Sequence, residues 1–472
     1  MNSVVYRECD VLVVGAGLAG YRAGLSALGK SRDLTVRLAT LSRGPSGSSF
    51  TNSNNALGMI VCRTPDERQA FIRKALAIAP PGIIVPELVA TLADDSEYLF
   101  RELVQTGLAF KKDAHHDIRR YSACFLSDPP MAYIFEGLPA ACFLMNRKFY
   151  KKGGKVWEGL SLLDVLTHDE GRVIGAVFEE MSTGQIWAVR CQSLVMATGG
   201  AAGLFPRSLT DPGNLGISLP LMELAGATLV NMNYVQFMWY RHDPWQPWSI
   251  STICHPDIRV IQHEDQSSCV PPSIRGLGND RGNHAPVGHG RKDSALDDFL
   301  CRSADEDRVS RIQMGDDIIK VALYAHAQNG GVLIDTMART GVPGLFACGE
   351  CAAGMHGANR VGGAMILSTQ VFGHRAGVSA ARFAHDPEPE TRRIFMDRVR
   401  QRPCMNTGDP HERQRGLFRL KSVLKGSEGP YPRPGLNQRL SALSIMREYA
   451  IDWRLKQALD CARLIIGNDE PT

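Results

Sequence analysis

The chain has 472 residues, more than one hydrophobic core carries, so two or three domains are expected. Apolar residues make up 44% and charged residues 22%, as in ordinary soluble proteins, and no run of about 18 apolar residues offers a membrane span. A net charge of +4, with no basic and aromatic-interleaved surface, argues against nucleic acid and still allows a local anion site.

Taken in chain order, the first strand begins within ten residues, which leaves no space for a signal peptide. The 12 cysteines are scattered singly except for Cys348 and Cys351. Both features point to a cytoplasmic chain with reduced thiols. The pair reads as packed thiols, because a structural zinc site would need a second CxxC; no metal is expected.

Cys9–Val14 has the apolar run of a strand buried on both faces. Gly15-Ala16-Gly17-Leu18-Ala19-Gly20 follows, then a helical run from Tyr21 to Leu28 and a second strand over Leu34–Leu41. Strand, GxGxxG and helix stand in the order of a dinucleotide fold. Gly15 permits the turn, Gly17 admits the pyrophosphate, and Gly20 lets helix and strand pack. The helix N-terminus then faces the phosphates. Ser42-Arg43 stands where an acid is usual.

Pro86–Gln105 reads as an amphipathic helix with Leu88, Leu92, Leu99 and Leu103 on one face. Val173–Glu180 and Gln185–Cys191 read as strands joined at Ser182-Thr183-Gly184, and Ser193–Gly200 as a buried strand ending in a glycine turn. A nicotinamide enzyme would continue directly into alternating strands and helices. Here the chain makes a long excursion and returns only at Gly331–Asp335 and Gly344–Glu350. A cofactor assembled from loops so far apart is long, as FAD is. The stretch His356–Gly363 then sets histidine, asparagine and arginine among glycines, which suits close backbone approach to a ligand and a carboxylate partner.

With these motifs in place, the chain resembles the flavoprotein family of fumarate reductase, succinate dehydrogenase and L-aspartate oxidase. The resemblance covers about residues 8–385 in matching order: the first glycine loop, Ser42-Arg43, Ala197-Thr198-Gly199-Gly200, Ala225-Gly226-Ala227, Val235-Gln236-Phe237, and the two stretches from Gly344 to Gly363. It implies an α/β fold: a Rossmann-like FAD-binding domain of glutathione-reductase type, an inserted α+β capping domain and a C-terminal helical segment. The expected divisions are 1–237 and 327–385 for the FAD domain, 238–326 for the cap and 386–472 for the helical region. FAD contacts are expected from Gly15, Ala16, Gly17, Ala19, Gly20, Ser42 and Arg43. Further contacts are expected from Ser48, Ser49, Gly58, Ala197, Thr198, Gly199, Gly349, Glu350, Arg360, Gly363, Ala364, Met365 and Ile366. Glu350 should meet the ribityl or ribose part, and Ser42 the AMP ribose. Some family members attach FAD through a histidine after the second strand; Gly47–Ala56 contains none, so non-covalent FAD is expected.

The resemblance also implies a small carboxylate substrate, with hydride passing to or from the flavin across an α,β-bond. His326, five residues before Gly331, matches a carboxylate-binding histidine, and Arg360 matches the arginine that grips the other carboxylate. An arginine amid glycines would be costly without an anion partner. His356 either joins them or shapes its loop. Two departures stand out. Met238 occupies the place of a substrate-holding histidine, with His242 a possible substitute. The proton-moving arginine of the cap has no clean match: Arg275, Arg291, Arg308 and Arg311 are all open, with Arg308 and Arg311 favoured on a helical-looking segment. Trp239, Tyr240, Trp245 and Trp248 read as an interdomain hinge, or else as a pocket wall. The polar Gly282–Gly290 stretch belongs to the lid, Asp386–Glu390 reads as a linker, and Gly426–Pro434 as a break between two helical stretches. The C-terminal cations form a solvated face, or dock a partner subunit or the FAD domain. An alternative function is an electron-transfer subunit that keeps FAD and works beside iron–sulfur partners.

Overall fold

The computed structural model describes residues 4–31, 33–53, 57–261, 267–282, 284–384, 391–401, 408–427 and 435–467. The expected linker Asp386–Glu390, residues 428–434 of the expected break, residues 54–56 and Asn283 of the polar stretch lie outside them.

Five strands form a parallel sheet in the order Lys155–Glu158, Val36–Thr40, Val5–Val14, Ile186–Met196 and Leu345–Ala347. Val11–Val14 and Leu194–Met196 are almost wholly buried, because helices cover the sheet and leave neither face wet. Val14 pairs with Met196, which in turn pairs with Ala347, so three carboxyl-end loops emerge side by side. This is the crevice where such sheets hold ligands. The two strands expected over 185–191 and 193–200 are one 11-residue strand. Its first half pairs antiparallel with Val173–Glu180, which pairs with Leu160–Thr167. A long apolar strand serves two neighbours in succession, and residue patterns do not show the change of partner.

Two helices flank the first strand, Leu18–Lys30 and Ala364–Ala384. They approach closely because Gly377 has no side chain; a Cβ there would overlap the carbonyl oxygen of Ala23. The helix Pro86–Gln105 buries Leu88, Leu92, Leu99 and Leu103, as its spacing requires.

A second sheet is antiparallel, with Val235–Arg241, Asp317–Gln328, Ser310–Met314 and Ile258–Ile261 side by side. It begins at Val235, so the Val235-Gln236-Phe237 motif already belongs to it. The segment around Arg308 and Arg311 is not helical: Arg308 sits in a turn at φ +59° and Arg311 on the strand Ser310–Met314. The C-terminal cations do not form only a solvated face. Arg413 pairs with buried Asp452 at 2.7 Å, Trp453 Nε1 donates to the carbonyl of Leu163 at 2.8 Å, and Cys461 covers Gly216. The helix Trp453–Gly467 thus lies against the first half of the chain. Among the described residues no helix is long and apolar enough to cross a membrane, and no cluster of His, Cys, Asp or Glu could hold a metal. Cys348 and Cys351 are free, buried thiols.

Candidate active site

A cavity runs from the first glycine loop to the junction of the two sheets. At its first end the walls are mostly backbone. Gly15, at φ +108°, has no room for a side chain against the Ala197 carbonyl, and a Cβ on Gly20 would overlap the carbonyl of Gly15. At Gly17 a Cβ would meet nothing within 4 Å. Two glycines close the turn and the third opens it toward the cavity. That opening lies at the N-terminus of the helix Leu18–Lys30, where exposed N–H groups favour a phosphate. Ser42, Ser48, Ser49, Gly58, Ala197, Thr198, Gly199, Gly349, Gly363, Met365 and Ile366 also line the cavity, as do Ala16 and Ala19. Gly20, Arg43 and Ala364 do not. Gly20 acts through the turn, Arg43 lies near Gly159, and Ala364 is a buried helix residue.

Midway, the Glu350 carboxylate is held from two sides. It accepts from the Gln328 backbone N–H at 2.9 Å and from the Ser48 hydroxyl at 2.8 Å, and Ser48 accepts from Asn214 Nδ2 at 2.8 Å. Burial raises its pKa, opposed by these hydrogen bonds and by the charge of Arg360. Glu350 therefore ties the strand ends together, with one edge of that network facing the cavity. Asn214 had no sequence signal.

The far end is made of side chains. Arg360 is 5% exposed; Nε donates to Asn329 Oδ1 at 3.1 Å and Nη2 to Gln236 Oε1 at 2.6 Å. Both partners are neutral, and no carboxylate of the described residues lies within ion-pair distance. Burial pulls its pKa down to about 10. His326 faces the same space from the strand Asp317–Gln328, with Nδ1 buried and without a hydrogen-bond partner. Burial and then the neighbouring Arg360 charge pull it down to about 3, so it is neutral at ordinary pH. Gln236, Met238, Pro286 and Cys124 complete this end.

Several expected site residues are elsewhere. His356 is 3% exposed and lines a separate small cavity behind Arg360; burial, then the Arg360 charge, keeps it neutral. It shapes its loop, its carbonyl accepting from Asn231 Nδ2 at 3.0 Å. Arg308 and Arg311 do not line the cavity. Arg308 is exposed beside Gly426. Arg275 is also outside the lining, and Arg291 pairs with Asp293 at 3.1 Å and stacks on Phe125. His242 bonds Tyr324 Oη at 3.3 Å, away from the cavity, so it does not replace a histidine at Met238. Trp239, Tyr240, Trp245 and Trp248 do not form a pocket wall. Tyr240 packs between Trp245 and Tyr324, and Trp239 Nε1 donates to Asp297 at 2.8 Å.

That bond joins a network with no signal in the sequence. Arg281, 1% exposed, is held by Asp293 at 2.7 Å and by Asp297. Burial opposes its charge, yet the two carboxylates keep its pKa above the ordinary value. His284 lies 3.5 Å from Asp293 and stacks on Phe125, the neighbour of Cys124.

A parallel sheet with a glycine loop at its first carboxyl end, and a cavity leading on to a second sheet, defines a dinucleotide-binding oxidoreductase fold of the flavin type. The FAD binding domain family model matches residues 10–250 and 297–366, and the chain belongs to that family. FAD is its cofactor. The chain is 28% identical over 440 residues to the L-aspartate oxidase of Halobacterium salinarum, covering 87% of this chain and 82% of that one. It is 26% identical over 455 residues to a fumarate reductase (CoM/CoB) subunit of Methanothermobacter marburgensis, covering 85% and 77%. Among solved structures, a quinol-fumarate reductase with menaquinol molecules superposes with TM-score 0.76 at 17% identity, over 98% of this chain and 90% of the other. The fold and the cofactor expected from the glycine loops are therefore as read.

Proposed function

We propose that the protein is an FAD-dependent oxidoreductase that adds or removes hydrogens across the bond next to a carboxyl group. The observation that carries this reading is Arg360: a buried guanidinium, bonded only to neutral amides, on the cavity that leads to the flavin loops. Glu350 acts on this cation through space but makes no ion pair with it; a buried guanidinium without a carboxylate in contact is costly, and a substrate carboxylate would supply that contact. His326, neutral and facing the same space, would pack beside that carboxylate and help fix its orientation. Bound FAD supplies hydride acceptance or donation at its N5. Met238 and Pro286 would keep water from the reacting bond.

The flavin would sit against the backbone cradle of Gly15, Gly17 and Gly199, held without a covalent bond. A second reading, an electron-transfer subunit beside an iron–sulfur partner, is favoured by one observation. Among the described residues no arginine of the cap lines the cavity to move a proton.

Acid precipitation of the purified protein should release yellow flavin into the supernatant; flavin retained in the pellet would refute non-covalent binding. Reduced protein should be reoxidised without oxygen by some unsaturated or imino acid. If a broad panel of such acids leaves it reduced, the electron-transfer reading takes precedence.

A further inference from the structure

We infer that the acid taken by this site is a monoanion: one carboxylate held at Arg360, and an uncharged remainder against Met238, Pro286 and Cys124. This narrows the proposed function and rests on it.

Charge balance in the cavity sets the limit. Among the described residues lining it, the formally charged side chains are Arg360, Glu350 and Asp211, one cation against two carboxylates. Glu350 is committed to Ser48 and the Gln328 amide. His326, the one imidazole among the described residues of the lining, is neutral at ordinary pH. The arginines close by in the cap are already spent: Arg281 on Asp293 and Asp297, Arg291 on Asp293. The wall beyond Arg360 offers a thioether, a proline ring and a thiol. Met238 is 6% exposed and touches Leu209 and Ala285 in a small apolar cluster. Burial raises the pKa of the Cys124 thiol, so it is uncharged as well. A second carboxylate would leave water for this wall with no cation to meet it, and such a charge is strongly disfavoured.

The test compares two acids with one carbon skeleton. Fumarate carries two charges and monomethyl fumarate one; succinate and monomethyl succinate are their saturated counterparts. With full-length FAD-loaded protein, the saturated pair is titrated against the visible spectrum of the oxidised flavin, which reads binding without turnover. The unsaturated pair is then mixed anaerobically with dithionite-reduced protein. There the double bond takes up a hydride and a proton to give the saturated acid, and the flavin ends oxidised. The half-ester should bind about 100-fold more tightly than the dianion, and should reoxidise the flavin faster. Cinnamate, a monoanion with an apolar tail, should behave like the half-ester. Equal or tighter binding of succinate would overturn the monoanion inference while leaving the carboxylate reading intact. If no acid of either charge perturbs the spectrum or reoxidises the flavin, both fall.

Discussion

The two ends of the cavity are built from different materials. At the glycine-loop end the walls are backbone, and function depends on where side chains are missing: Gly15 and Gly20 because a Cβ would collide, Gly17 because its absence leaves space. At the far end the walls are side chains drawn from five segments: Cys124, Gln236 with Met238, Pro286, His326, and Arg360. Backbone can be placed by local sequence, since a turn and a helix start suffice. A side-chain site needs long-range topology before any two of its members meet. The first kind follows from the cofactor that the family holds. The second kind is where one member of a family can come to handle a different molecule.

The largest effect that would expose this difference is Gly20→Val. Its side chain would overlap the Gly15 carbonyl, and the loss should exceed about 4 kcal/mol, leaving no soluble flavoprotein. A soluble, yellow variant would show that the turn is not the constraint. Asp297→Ala comes next. It leaves buried Arg281 with one of its two carboxylates and frees Trp239 Nε1, for a cost of about 3–5 kcal/mol read as a fall in Tm, with FAD still bound after refolding.

Arg360→Gln should follow, keeping the flavin absorbance but weakening carboxylate binding about 100-fold, roughly 2.7 kcal/mol. The pH profile sharpens the same point. Burial and the Arg360 charge hold folded His326 near 3, well below its unfolded value, so it stays neutral and contributes stability above about pH 6.5 that is lost as pH falls toward 3. Acid binding should therefore be flat from about pH 5 to 9, because Arg360 keeps its charge and His326 stays neutral across that range. A titration near 6.5 would give the site a second cation and break the charge count. Gly17→Ala should cost FAD affinity about tenfold with little change in the apoprotein Tm, because its Cβ enters open space. The smallest effect should be Arg308→Ala, at an exposed position, within about 0.5 kcal/mol in stability and with unchanged substrate KM.

The legibility of the molecule divides along the same line. The first strand, the glycine loop and its helix, the helix Pro86–Gln105 and the Gly-Glu turn could all be read, because period and turn chemistry determine them locally. The two strand runs of 185–200 could not be joined by inspection, because a strand that changes partner keeps one apolar pattern throughout. Arg360 was legible from its glycine setting and His326 only as part of a family pattern; that they share one space follows from the second-sheet strand Asp317–Gln328, which ends at the Glu350 carboxylate. Arg308 and Arg311 do not line the cavity, and a turn and a strand stand where a helix was read. Arg281 and its two aspartates left no trace. Buried ion pairs are specified by packing, and in one sequence they look like any exposed charges.

The close crossing of the helices Leu18–Lys30 and Ala364–Ala384 has a consequence for synthesis of the chain. The cavity needs Gly15 and Thr369 together, and the glycines of the later helix are what let it lie against the earlier one. A growing chain therefore exposes its glycine loop long before the opposing wall exists. Until residue 369 has left the ribosome, the first strand and helix must stay soluble without a cofactor or a partner on that face. FAD can thus be enclosed only once residue 369 is in place.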